Sequence, residues 1–475
     1  MTQLGKKLFQ SHATGSFADT QFLISSWLFI RVIALIYFAA FSSMAIQVTG
    51  LVGSQGILPL NLFLQNAGDA LGTTAWFHIP TLFWLNSSDT ALVTACYAGI
   101  GFSVLLLIGK FQLVSSICLF VLYLSVFIAG QVFLNFQWDY LLLEAGFLTI
   151  FLTQGNNRII IFLFHWLLFR LRFLSGLSKT NDPSWMNLST LNYYFETQPL
   201  PHAGAWYFHQ LPEWLLRTGT GFTLFVELVV PFFIFLPRNF RLFAALSTIF
   251  LQLLIIASSN HNWINLLTIA LCLFLLDDRF MSSIMPRSFS NTLTGNHKQH
   301  KPALKVITAL LAVIIVSTSL AMTLQVFARS KVPEVFIWAR AYGLGNAYHV
   351  FPTMQTQRYE FVIEGSHDGI AWKPYEFKYK PNNVKHIPPF IVPHQPRLDW
   401  MIWFIPPKPP KMQIWFDSFI AGLKRNEPSI TGLLKTNPFE SQAPRFIRIL
   451  TFRYKFTDTR ERKQSGAYWK EEFIG

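Results

Sequence analysis

Charge is scarce in this chain. Only 13% of its 475 residues are Asp, Glu, Lys or Arg, against about 25% in a soluble globular protein, so most of the chain avoids water. Cysteine is scarcer still: Cys96, Cys118 and Cys272 are the only three, and each falls inside an apolar run. That excludes a disulfide framework or thiol-exchange chemistry from everything outside those runs. There is no glycine-rich phosphate loop and no G-x-S-x-G elbow, which disfavours a nucleotide enzyme and a lipase in its own right. The histidines at 202, 209, 261 and 349 lack metal-ligand spacing, so no metal is assigned and any cofactor is unknown. No nucleic-acid motif accompanies the net charge of +14. The excess is read as the Lys/Arg bias of cytoplasmic loops and attraction to anionic lipid, which makes membrane lipid a partner and nucleic acid not one.

Apolar runs fill what charge leaves. Residues 1–22 are polar, with Lys6 and Lys7, and lack the short apolar core of a cleaved signal peptide. The first run, 24–48, is long enough to span a bilayer and reads as an uncleaved signal anchor. Further candidate spans are 90–108, 111–134, 139–153, 158–175, 217–236, 240–258, 262–277 and 304–327. The expected architecture is a polytopic α-helical membrane domain of eight or nine spans over 1–327. Residues 50–88 hold no Lys or Arg, whereas Lys110, Arg158, Arg238, Arg241, Arg279, Arg287, Lys298 and Lys301 fall in the alternate connections. This predicts a cytoplasmic N-terminus and an extracytoplasmic C-terminal domain.

Beyond 328 the period changes. YEFVIE (359–364) alternates as a strand does, SHDG (366–369) signals a turn, and WKPYEFKYK (372–380) reads as the returning strand. RFIRILTFRYKF (445–456) alternates again, with short helices expected near 411–424 and 429–435. Residues 328–475 are therefore expected to form a mostly-β, sandwich-like domain. Asp368 and Gly369 are expected to make a hairpin turn rather than hold a ligand.

The segment 176–214 is neither a short loop nor a soluble domain. It carries Lys179, Asp182, Glu196, His202, Trp206 and His209, pinned by prolines at 183, 199, 201 and 212. Each proline fixes its own φ and restricts the residue before it. A polar, aromatic segment between membrane spans, re-entrant or interfacial, is where a pocket would be built. Charges also lie in or at the edges of the spans: Arg31, Asp139, Glu144, Arg170, Arg172 and Glu227, with His165 and the amides Asn260 and Asn265. A charge at the bilayer centre costs about 2.5–3.5 kcal/mol or more, so such residues face a bundle interior and have partners. They are either structural ion pairs, for instance Arg31 with Glu144, or the lining of a polar cavity. Arg170 and Arg172 sit at the outer end of their run, against the charge rule, so either that helix is not a simple span or both face the pocket. Glu227 precedes Pro231 by four, at an expected kink.

Several long stretches together resemble the lipase maturation factor family: LNFQWDYLLLEAGF (134–147), YYFETQPLPHAGAWYFHQLP (193–212), EGSHDGIAWKPYEFKYKP (364–381) and PHQPRLDWMIWF (393–404). TGLLKTNPF (431–439) and YWKEEFIG (468–475) join them, so the resemblance covers nearly the whole chain. It implies a membrane-bound protein that assists the folding or assembly of secreted or membrane clients, a secreted lipase among them. In animals, such proteins reside in the endoplasmic reticulum. The lack of cysteine outside the spans and the short loops lead us to expect a bacterial inner-membrane member with a periplasmic C-terminal domain. SSNHNW (258–263) departs from the family pattern, as does the stretch after Lys179. That stretch, GLSKTNDPSW (176–185), is in turn similar to one in vitamin K-dependent gamma-carboxylases, in which a lysine acts as the base. The alternative this implies is a membrane enzyme acting on a lipid or quinone-like substrate. Lys179 or His209 would be the base, and Arg170 or Arg172 would hold an anionic group.

Overall fold

The computed structural model describes residues 21–155, 157–286, 302–405 and 413–475. The expectations for Lys6, Lys7, Arg287, Lys298, Lys301 and residues 406–412 lie outside the described residues.

Nine apolar segments form helices: α1 (Leu23–Ala45), α2 (Asp89–Leu107), α3 (Gln112–Ala129), α4 (Gln137–Leu152), α5 (Arg158–Lys179), α6 (Glu213–Leu228), α7 (Arg238–Ser258), α8 (Ile264–Cys272) and α9 (Pro302–Ala328). Among the described residues seven are long and apolar enough to cross a membrane. Two are shorter: α4 has 16 residues, and α8 with its 3-10 continuation spans Ile264–Leu275. These two are core helices. α4 packs on α1, α3, α5 and α8, and both Asp139 and Glu144 are fully buried within it.

The outer helices show why the sequence segregates as it does. On α7, Phe240, Phe243, Leu246, Phe250 and Leu253 recur at helical spacing and are exposed, a stripe suited to lipid. Its other face buries Arg241, Ala244, Ala245, Thr248, Leu251 and Gln252. The kink expected near Pro231 takes the form of a change of winding: α6 stops at Leu228 and the chain runs on as a 3-10 helix, Val230–Phe235. Proline supplies no N–H for the α-helical ladder.

The C-terminal part holds one four-stranded antiparallel sheet, order β2-β1-β3-β4, from β1 (Arg358–Ser366), β2 (Lys373–Pro374), β3 (Phe446–Phe456) and β4 (Trp469–Phe473). β1 pairs with β3 along its whole length, Arg358 opposite Tyr454 and Ser366 opposite Phe446. The expected sandwich is thereby corrected: among the described residues there is no second sheet. The returning strand pairs only at Lys373 and Pro374; α12 (Ile414–Lys424) packs on β3 and sets Phe416 against Phe361 of β1, α11 (Arg397–Ile402) lies against the bundle, and α10 (Glu334–Ala341) precedes the sheet. The turn is a turn: Asp368 Oδ1 accepts from Ser366 Oγ and from the N–H groups of Ile370 and Ala371, and Gly369 takes φ +76°.

The two parts are fastened together. Ser43 and Gln47, at the end of α1, bond to the carbonyl of Gln395, and Asn262 donates to the side chain of Gln395. Asn260, between α7 and α8, donates to Pro389 and accepts from Ile391 N–H. The C-terminal domain thus caps the bundle at the ends of α1, α4, α5 and α7, while Lys110, between α2 and α3, and Arg158 and Arg238, which open α5 and α7, lie at the opposite end.

Candidate functional site

Each of the three carboxylates singled out in the spans, Asp139, Glu144 and Glu227, has a cation beside it, and the pairings are not those the sequence suggested. Asp139 accepts from Tyr123 Oη at 2.6 Å and is gripped by both terminal nitrogens of Arg397 at 2.7 and 2.8 Å. Glu144 pairs with Arg170, and Tyr348 Oη donates to it at 3.0 Å. Glu227 takes Arg172 on one oxygen at 2.9 Å and Lys179 on the other at 2.7 Å. Arg172 and Lys179 are seven residues apart on α5, two turns, so they share a face.

The suggested Arg31–Glu144 pair does not form. Arg31 instead lies over the Trp27 ring, 4.8 Å from its centre, because the packing of α5 on α4 brings Arg170 to Glu144 first. Nor does Lys179 pair with Asp182. Asp182 caps the short helix Pro183–Met186 and accepts from Met354 N–H, whereas Lys179 donates to the carbonyls of Ser175 and Val350 and lies over the Trp185 ring. The position of Arg170 and Arg172 at the outer end of their span is accounted for: both guanidiniums turn inward and are buried.

The 176–214 segment folds into short helices, 183–186, 191–197 and 203–209, wedged between the bundle and the sheet. Two recesses border it. The first is a buried cavity of about 90 Å³ beside α5 to α8, bordered by Arg172, Lys179, Trp185, Glu227, Gln252 and Asn265. Of the residues nominated from sequence it gathers Arg172, Lys179, Glu227 and Asn265. Gln252 went unremarked, although a lone amide in an apolar run was its signal.

The second is an open groove of about 700 Å³ between the segment and strands β3 and β4, bordered by Glu196, His209, Arg453, Lys455, Lys470 and Glu471. It unites two further nominees. His209 Nε2 lies 3.8 Å from Glu196 Oε2, which also accepts from Phe456 N–H at 3.0 Å. Burial, aided by nearby Lys455, pushes the His209 imidazole down to about 4, so it is neutral at pH 7 and the contact with Glu196 is not an ion pair there. Burial raises the Glu196 carboxyl above its usual value.

The remaining nominees fasten the fold instead of lining either recess. His202 caps its helix by accepting from Gly204 N–H and contacts the Ile256 carbonyl. Trp206 donates to the Thr457 carbonyl, and Asn260, Asp139 and Arg170 hold loops of the C-terminal domain. Arg358 adds a fastening that the sequence did not flag, donating to the carbonyls of Glu196, Gln198 and Pro199.

A bundle of membrane-capable helices, capped at one end by a sheet-bearing domain tied to it through a buried ion pair and several hydrogen bonds, defines an integral membrane protein with a fixed extramembranous head. Residues 24–283 match the family model described as the lipase maturation factor transmembrane domain, and residues 344–475 match that of the lipase maturation factor C-terminal domain. The chain belongs to the lipase maturation factor family. It is 32% identical to lipase maturation factor 2 of Rattus norvegicus, the alignment covering 94% of this chain and 82% of the relative. It is 30% identical to lipase maturation factor 2 of Homo sapiens, over 94% and 81%, and 29% identical to lipase maturation factor 1 of Mus musculus, over 97% and 87%. These matches lend no support to the carboxylase-like alternative. No solved structure matches the chain.

Proposed function

We infer that this protein assists the folding or assembly of a client lipase at the membrane, and that the client meets the groove between the 176–214 segment and strands β3 and β4. The observation that carries the reading is the extent of the family match, which takes in both the membrane part and the head. The groove suits the task. It is open, holds charges of both signs, and flanks β4, whose second edge pairs with no other strand among the described residues, so it offers side-chain and main-chain hydrogen bonds to an extended segment. The membrane part anchors that surface beside the bilayer that a secreted client crosses.

On this reading the head is extracytoplasmic, since Lys110, Arg158 and Arg238 gather at the other end. A bacterial inner membrane with a periplasmic head fits the lack of cysteine in that domain; the relatives named above are animal proteins, so this part rests on composition alone. Lys179 has a structural task that a free base would not have, because Glu227 and two carbonyls already engage its ammonium.

The test is co-expression with a secreted lipase in cells lacking the chain, reading active lipase per unit of lipase protein. The wild-type chain is expected to raise that ratio. Arg453→Glu with Lys455→Glu is expected to lose most of the gain while the protein accumulates normally. A wild-type chain without effect overturns the maturation reading, and full activity from the double variant overturns the groove as its client surface.

A further inference from the structure

The walls of the buried cavity carry more hydrogen-bond donors than the protein satisfies. The indole N–H groups of Trp138 and Trp185 and Nε of Arg172 have no acceptor among the described residues. The amide nitrogens of Gln252 and Asn265 are likewise unpartnered, as is Nδ1 of His261, which donates or accepts according to its tautomer. All six residues border the cavity, and the most exposed of them, Arg172, is 7% accessible. A buried donor left unpaired loses its hydration without compensation, and native proteins rarely tolerate several. Several around one void imply a shared acceptor that fills it.

The chemistry of that acceptor is constrained twice. Indole and guanidinium N–H groups only donate, whereas the two amides can turn either end to a guest. The fixed wall therefore asks for an acceptor. The charge count agrees: Arg172 and Lys179 are cations, and Glu227 is the only anion at the cavity. Each Glu227 oxygen is already engaged by one of those cations, which leaves one positive charge uncompensated. Water, the other candidate, must donate as well as accept, and the one carboxylate oxygen here without a hydrogen bond, Glu227 Oε2, already has the Lys179 ammonium 2.7 Å away. We propose that the cavity is a binding site for an oxyanion, a phosphate or carboxylate group. Its volume of about 90 Å³ accommodates such a group, and the source is either the headgroup of an anionic lipid or a free anion. The inference is independent of the client surface, since the cavity lies apart from the groove.

The test uses the full-length protein in phosphatidylcholine nanodiscs, with and without phosphatidic acid, and separately with inorganic phosphate. Thermal unfolding and native mass spectrometry are the readouts. The wild-type protein is expected to be stabilised and, for the lipid, to retain about one molecule. Trp185→Phe, which keeps the ring and loses the N–H, is expected to weaken binding several-fold. Gln252→Leu with Asn265→Leu is expected to weaken it about tenfold, yet to leave the anion-free protein at least as stable, because two unpaired amides are gone. Stabilisation by phosphatidic acid alone assigns the lipid headgroup, and stabilisation by inorganic phosphate assigns the free anion. Equal responses of wild type and both variants, or no response of the wild type to either probe, overturn the proposal.

Discussion

At the scale of single residues, burial turns each charge into a question of what stands next to it. Asp139 is fully buried, and its carboxylate is tolerated because Arg397 meets it with two hydrogen bonds and Tyr123 adds a third. Removing one member of such a pair leaves an uncompensated buried charge and costs about 3–5 kcal/mol, whereas removing both for apolar groups is often neutral. Arg397→Met is accordingly expected to destabilise the protein by about 3–5 kcal/mol, measured by denaturant unfolding in detergent. Asp139→Leu together with Arg397→Met should recover most of that loss. A single variant as stable as the wild type would show that the pair contributes nothing. This pairing was beyond the sequence. The sequence nominates Asp139 as needing a partner, but not Arg397: 258 positions separate the two, and only the docking of α11 against the bundle brings them together.

Among the elements, the period of the pattern was a reliable guide, and length and pairing were not. Apolar runs predicted all nine helices, and strict alternation predicted β1 and β3. The expected return strand after the turn is cut short: Pro374 has no N–H to donate, and the paired register with β1 ends there. One more bond, from Tyr375 N–H to the Ile363 carbonyl, holds the chain to β1 before it leaves the sheet for the isolated bridge of Glu376 with Thr436. α4 illustrates the other limit. It is apolar enough to read as a span, yet at 16 residues it is a buried core element, and its closeness to α1 depends on Gly146. A Cβ there would lie 1.8 Å from the Tyr37 hydroxyl, which is itself fixed by donating to the Leu142 carbonyl. Gly146→Ala should therefore lower the thermal midpoint, by an amount corresponding to about 1–3 kcal/mol of overpacking. Adding Tyr37→Phe, which removes the clashing oxygen, should restore part of it. No loss on Gly146→Ala would mean that the two helices can separate freely.

Taken as a whole, the molecule has two unlike ends. The head covers one end of the bundle, and basic residues mark the other. If the head is extracytoplasmic, cysteine introduced at exposed Lys373 in intact cells should react with a membrane-impermeant maleimide, and cysteine at exposed Lys110 should react only after permeabilisation. The reverse pattern would invert the orientation. Of the native thiols, Cys96 and Cys272 are buried, and the partly exposed Cys118 is removed beforehand as Cys118→Ser.

Composition and period alone determined that this chain enters a membrane, where its helices lie, that an alternating domain follows, and that charges inside the spans need company. Those properties are local: a run of about 20 apolar residues partitions into lipid whatever it later packs against. Its family, too, is written in stretches of contiguous sequence. The tertiary structure alone decided which cation meets which carboxylate, that the sheet stays single, and that the 176–214 segment opens on two separate recesses. Each of these depends on groups tens to hundreds of residues apart, whose contact is set by how helices and strands pack, and no local pattern encodes that.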